Sequence, residues 1–317
     1  MLRSKKMYDL CFRSLQGLPL PARALTRLLI ESILGRLLQT EAVIMCGYVW
    51  MSNHPHMQLF SLDCEALTHF HERLKKRLTD FLKRLLNLPQ LRLWDNRTTI
   101  GEVLDLQAAI DRIVYSYLNP VRAGLARTID EYRGCNTWKE FLAVPADVNA
   151  AVEKEVLWVL ATDIRALSQE NPSLSEERAL IESIEKQASS RERNTVKIMP
   201  FKWLEAFNVT DPVEIEKVRQ RIISLVRQEE ARVAPKKSPV ARIEGFVVDN
   251  RHVPRKKERK VFMYCSCKEL RLAFLSTFCT FINRCRKCYL LMKEGHVDVP
   301  WPPACFKPPI PRLCNAL

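Results

Sequence analysis

Residues 42–60 read Ala42-Val-Ile-Met-Cys-Gly-Tyr-Val-Trp-Met51-Ser-Asn-His54-Pro-His56-Met-Gln58-Leu-Phe60. The stretch through Met51 is rich in β-branched and aromatic side chains and suits a strand. Ser52-Asn53 supplies a turn, and His54 to Phe60 returns as a second strand, so the segment predicts a β-hairpin. Alternate side chains of a strand share one face, which would point His54, His56 and Gln58 the same way. Two neutral imidazoles on one face suit a divalent cation, and Gln58 can reach the same region.

Upstream, a short strand is expected near Leu10 to Leu15, then a helix after Pro21, a residue that suits a first helical turn. In that helix Leu25, Leu28, Leu29, Ile33 and Leu37 recur at three- and four-residue steps, with Arg23, Arg27 and Arg36 largely elsewhere. Downstream, Leu67, Phe70, Leu74, Leu78, Phe81, Leu82 and Leu85 mark a second amphipathic helix. Its outer surface carries Arg73, Lys75, Lys76, Arg77, Lys83 and Arg84. A strand over Leu91 to Trp94 and a helix over Leu104 to Leu118, ending at Asn119-Pro120, complete the order βαββαβα. That order predicts an α+β fold with a ferredoxin-like antiparallel sheet over residues 1–145.

Fifty Lys and Arg against 36 Asp and Glu give a formal charge of +14. The balance favours a polyanion, and the basic helix surface around Lys75 to Arg84 is the candidate contact. Nucleic acid is the first candidate and an anionic membrane surface the second. No apolar run approaches the roughly 20 residues of a spanning helix, and Met1-Leu-Arg-Ser-Lys-Lys leads into no apolar signal core. A cytoplasmic location is the expectation. Eleven Cys, an odd number, read as thiols instead of a disulfide framework.

The second chemical motif is Asp111-Arg-Ile-Val-Tyr115-Ser-Tyr117-Leu-Asn119-Pro120-Val-Arg-Ala-Gly124. Four-residue steps align Asp111, Tyr115 and Asn119 on one helix face and turn Tyr117 away. A phenol titrating near 10 attacks poorly at neutral pH without a neighbouring cation. His69 and His71 repeat the two-residue spacing, but at a helix start they point to different sides.

These two motifs together resemble the single-tyrosine HUH transposases, and among them the REP-associated tyrosine transposases, whose pattern is M-x-N-H-x-H followed by Y-x-x-x-N-P-x-R-A-G. The resemblance spans roughly residues 8 to 140, including Glu131-Tyr132. It implies that His54 and His56 bind Mg²⁺ or Mn²⁺, that Tyr115 is the nucleophile, and that Asn119 is a further ligand. It also implies a cytoplasmic, nucleoid-associated bacterial enzyme, monomer or homodimer. Such an enzyme cuts and rejoins single-stranded, hairpin-forming DNA through a 5′-phosphotyrosine. Pro55 departs from the pattern: a bulky hydrophobe usually stands there, and proline cannot donate to a sheet ladder. If the ladder breaks there, the alternative is a domesticated, inactive protein that binds hairpin DNA.

Residues 146–317 predict a mainly helical accessory region that grips DNA or a partner, with helices near 149–168, 174–190 and 212–232 and no strand. Lys236-Lys237 and Arg255 to Lys260 are basic linker-like runs, and Pro300 to Pro311 is Pro-rich. Cys265, Cys267, Cys285 and Cys288 could close a tetrahedral zinc site, but the apolar residues between them favour a packed helix. Hydrolases that open on His-x-His need further His or Asp ligands, and the six His of this chain do not supply them.

Overall fold

The computed structural model describes residues 1–14, 24–51, 53–63, 65–167, 173–233, 261–296, 298–303 and 305. The first elements are β1 (Lys6–Ser14), α1 (Ala24–Thr40), β2 (Val43–Trp50), β3 (Pro55–Ser61), α2 (Ala66–Leu85), β4 (Trp94–Val103) and α3 (Leu106–Arg122). There follow α4 (Trp138–Ala143), β5 (Val152–Val156), α5 (Leu174–Ala188), β6 (Asn194–Ile198), α6 (Pro212–Val233), β7 (Met263–Tyr264) and α7 (Lys268–Lys293). The fold is α+β, built on one mixed sheet in the order β5-β6-β2-β3-β1-β4-β7. β1 pairs antiparallel with β3 and β4, and β2 pairs antiparallel with β3.

Alternation along the strands sends two side-chain sets to two cores. Tyr8, Leu10, Phe12, Met57 and Leu59 join α1, α2 and α5 on one face. Met7, Phe60 and Val103 join α3, α4 and α6 on the other. His56, Gln58 and Asp9 belong to this second set, because Asp9 stands opposite Gln58 in the β1–β3 ladder.

Both ends of α3 are written in local chemistry. Asp105 caps its start, accepting from the Ala108 amide at 2.8 Å. At its end the Gly124 amide donates to Val121 and the Leu125 amide to Pro120, with Gly124 at φ +74°, the left-handed conformation that glycine adopts freely.

Four expectations are corrected. The helix does not stop at Asn119-Pro120 but continues to Arg122. Proline in the last turn removes only the helical donor to the Ser116 carbonyl, and the Gly124 cap closes the end beyond it. The fourth strand is Trp94–Val103, not Leu91–Trp94. Residues 149–168 form no helix: they make β5 and a single 3₁₀ turn at Ala161–Asp163. Residues beyond 145 do contribute strands, since β5 and β6 extend the β2 edge and β7 pairs with β4. Helices are nevertheless found at α5 and α6, as expected. Pro21 and the two basic runs lie outside the described residues.

α7 is a long helix but not a packed one: only Phe274 and Cys288 are buried, and Leu270, Leu272, Leu275 and Leu290 are exposed. Cys267 caps its start while Cys285 and Cys288 lie near its end, about 27 Å away at 1.5 Å per residue. One ion cannot join those two pairs.

His69 and His71 diverge as a helix start requires, with His69 exposed and His71 buried. Burial first, then Lys75, pushes the His71 pKa from its ordinary 6.5 to about 3. The unfolded chain therefore binds this proton near pH 6.5 and the folded chain only near 3. The stabilisation from neutral His71 is complete above about pH 6.5 and is lost as the pH falls through that window. Urea midpoints measured from pH 7 to 4 should fall, and His71→Gln should reduce the slope by up to about one proton.

Candidate active site

Tyr115 stands on α3 above the His-bearing strand and keeps 37% of its surface exposed. Its ring meets the His56 ring edge-on at 5.5 Å between centres, and His56 meets His54 in the same way at 5.1 Å. The two histidines do share a face as read from their spacing: His56 lies within β3, and His54 sits one residue before it. Pro55 is the first residue of β3, opposite Trp50. A proline that opens a strand removes no ladder bond from its interior, so the break feared at Pro55 does not occur.

Both imidazoles are neutral at physiological pH. His54 Nδ1 lies 2.5 Å from Asn53 Oδ1, which can only accept, so Nδ1 carries the hydrogen and Nε2 keeps a free lone pair. His56 is 5% exposed, and neither of its ring nitrogens has a hydrogen-bond partner. Burial is the main cause that lowers both pKa values to about 3; His56 adds to it at His54, Arg112 at His56, and Arg13 at both. A buried imidazole without partners is costly unless something binds it. Asn119 lies one turn beyond Tyr115 on α3, and the atom it could offer a cation is its side-chain oxygen. Two free-base imidazoles and a carboxamide are a donor set that fits one divalent cation. Among the described residues no group of three or more His, Cys, Asp or Glu gathers.

Beneath this surface lies a buried polar network that sequence reading did not find. Arg112 Nη2 donates to Asp9 Oδ2 at 2.7 Å, with Asp9 fully buried. Gln58 Nε2 donates to Ser116 Oγ at 2.7 Å and to Asp9 Oδ1 at 3.3 Å. Gln58 therefore ties β3 to α3 through its amide nitrogen, with its oxygen turned toward Gly47. Gly47 makes room for it, since a Cβ there would meet the Gln58 carbonyl oxygen at 3.3 Å and the Tyr117 hydroxyl at 3.3 Å. The signal for Asp9 was present as an acid between two apolar strand residues, Tyr8 and Leu10. That for Arg112 was its place one turn before Tyr115.

The remaining candidates fall elsewhere. Asp111 is exposed and accepts from Gln107 Nε2 at 2.7 Å. Tyr117 points away as expected, packed on Trp138 and Phe141 with its hydroxyl against Thr137, and burial raises its pKa. The basic residues of α2 belong to the opposite layer and are not brought together with Tyr115. There Arg73 pairs with Glu41 at 2.5 Å and Lys75 is half-buried near the Phe12 ring. Arg77 is half-buried, Lys83 partly so, and Lys76 and Arg84 are exposed. The cations that do stand by Tyr115 are Arg112 and Arg122, at 4.4 and 5.5 Å from its ring centre.

No protein-family model and no curated protein matches this chain. A solved structure described as a REP-associated tyrosine transposase bound to a REP hairpin is similar over 45% of this chain and 82% of that one, with TM-score 0.39 and 12% identity. No helix among the described residues is long and apolar enough to cross a membrane.

The network sets a stability expectation. Asp9→Ala leaves the largely buried Arg112 without its acceptor and takes from Gln58 the longer of its two bonds, and should cost about 3–5 kcal/mol in urea unfolding. Tyr115→Phe, at an exposed position with no hydrogen bond to lose, should stay within about 0.5 kcal/mol of the wild type.

Proposed function

We propose that this chain cuts and rejoins single-stranded DNA, with Tyr115 as the nucleophile and His54, His56 and Asn119 as the holders of Mg²⁺ or Mn²⁺. One observation carries the reading: an accessible phenol packed against a buried imidazole whose two nitrogens lack partners. The motif resemblance supplies the substrate class, a hairpin-forming strand. The catalytic unit is residues 1–145, read as a ferredoxin-like βαββαβ core whose strands run β2-β3-β1-β4, and residues 146–317 are accessory to it.

A divalent ion held by these residues would supply Lewis acidity toward a phosphodiester oxygen. The Tyr115 hydroxyl gives up its proton and its oxygen attacks the phosphorus in line. A new bond from that oxygen to phosphorus replaces the bond from phosphorus to the 3′ oxygen, which takes up a proton and leaves as a 3′-hydroxyl. The DNA 5′ end stays on Tyr115 as a phosphodiester, so attack by a 3′-hydroxyl reverses the step without a nucleotide cofactor. Arg112, Arg122 and the exposed Arg13 make the surroundings of Tyr115 cationic and favour an anionic strand. Because His54 and His56 are neutral at physiological pH, they present lone pairs there instead of repelling a cation.

The test is incubation of end-labelled hairpin DNA with the protein and Mn²⁺, followed by denaturing electrophoresis. Wild type should yield a protein–DNA adduct, and Tyr115→Phe and His56→Ala should each reduce it by about a thousandfold or more. Binding without an adduct across a broad set of hairpins would favour an inactive hairpin-binding protein. An adduct surviving in Tyr115→Phe would mean another nucleophile.

A further inference from the structure

The site contains a residue from far along the chain. Arg112, one turn before Tyr115, has its guanidinium carbon 4.4 Å from the Tyr115 ring centre and 4.3 Å from that of Tyr264. Tyr264 belongs to β7, on the outer edge of the sheet. Its seat is specific: a Cβ on Gly101 would lie 2.3 Å from the Tyr264 ring, so only glycine leaves the space.

The segment that delivers Tyr264 is fastened to α3 itself. The Ser266 amide and hydroxyl donate to the Asp105 carboxylate at 2.7 and 2.6 Å, and the Cys267 amide at 3.3 Å. Burial acts to raise the Asp105 carboxyl, but the bonds from Ser266 and the Ala108 amide outweigh it and hold it at about 2. The carboxylate that caps α3 therefore also grips the C-terminal segment, two helical turns before Arg112.

Hydrogen bonds alone leave Arg112 loosely defined. Its Nη2 donates to Asp9, and its Nε is buried with no partner. A single bond lets a guanidinium plane pivot, and two flanking aromatic rings remove that freedom. The half-exposed Tyr115 ring in turn has Arg112, Arg122 and the edge of His56 as its ring neighbours.

We infer that Tyr264 is a positioning residue for Tyr115: its ring holds the Arg112 guanidinium between Asp9 and the Tyr115 ring, and so keeps the phenol beside His56. The inference deepens the proposed function, on which its rate measurement rests. Misplacement of a reacting group by about 1 Å costs rate more than affinity. The C-terminal region is on this account part of the site, not only an appendage that grips DNA.

The test uses the full chain with Tyr264→Ala, Tyr264→Leu, Tyr264→Phe and Arg112→Lys. Single-turnover adduct formation at saturating hairpin and Mn²⁺ should slow about tenfold in Tyr264→Ala, while hairpin affinity stays within about twofold. Tyr264→Leu, which fills the seat without an aromatic face and guards against collapse of the edge, should slow similarly. Tyr264→Phe keeps the ring against Arg112 and loses only the hydroxyl's hydrogen bond to Asp9, so it should recover to within about threefold of wild type. Combining Tyr264→Ala with Arg112→Lys should add nothing to Arg112→Lys alone.

A second readout needs no cleavage. With 3-fluorotyrosine incorporated, the ¹⁹F resonance assigned to Tyr115 by its loss in Tyr115→Phe should move in Tyr264→Ala and return in Tyr264→Phe. If wild type forms no adduct but the resonance moves, positioning stands and the nucleophile assignment fails. If the adduct forms and Tyr264→Ala matches wild type in rate and resonance, the positioning role is overturned. Equal losses in the Phe and Ala variants overturn it as well.

Discussion

The ion pair between Asp9 and Arg112 joins the middle of β1 to the helix that carries Tyr115, and the geometry of the site depends on it. Asp9 is fully buried and Arg112 is 15% exposed, at 2.7 Å. Attraction at that separation amounts to about 6 kcal/mol at an effective dielectric near 20. Desolvation costs several kcal/mol for each ion. The pair therefore adds little net stability. Its effect lies in the asymmetry, because removing either partner strands the other charge in the interior. That makes one register of α3 over the sheet far better than a neighbouring one.

Gln58 extends the same constraint to β3. By donating to both Asp9 and Ser116 it links the central strands to α3. A strand residue two positions from His56 thus sets where the helix sits above it. The caps at Asp105 and Gly124 define where α3 begins and ends, but they do not decide its placement across the sheet. Placement comes from this polar network and from the apolar contacts of Ile110, Ile113, Val114, Tyr117 and Leu118. Local chemistry gives the helix its length, and buried charge gives it an address.

His56 presents the opposite balance. Its neighbours include two arginines and no carboxylate bonded to its ring, so the imidazole stays uncharged and its nitrogens stay unpaired. A core position used only for packing would more readily hold an apolar side chain. The unpartnered His56 ring keeps one lone pair and one N–H available to a group that arrives from solvent, and Tyr115 is the exposed residue beside it. Tyr117, two residues away on the same helix, shows the alternative fate of a tyrosine, with its hydroxyl sealed against Thr137.

Residues 42–60 and 104–124 carried readable signals because each feature in them is local. The hairpin follows from strand composition around a two-residue turn and the shared face of His54 and His56 from a period of two, whereas the α3 end was placed at Asn119-Pro120, short of the Gly124 cap that closes it. The basic face of α2 was equally legible, yet its layer relative to Tyr115 was not, since that depends on which side of the sheet each crossover passes. β5, β6 and β7 were missed because five or two residues hold too little periodicity to declare a strand; pairing with β2 and β4 makes them strands. The meeting of Asp9, Arg112 and Tyr264 likewise leaves no mark in sequence spacing. By itself the sequence determined helices α1, α2, α3, α5 and α6 in outline, the hairpin and the pairing of a histidine motif with a tyrosine. Tertiary structure alone decided which charges are buried together and which distant ring closes over them, because those outcomes depend on long-range packing and desolvation.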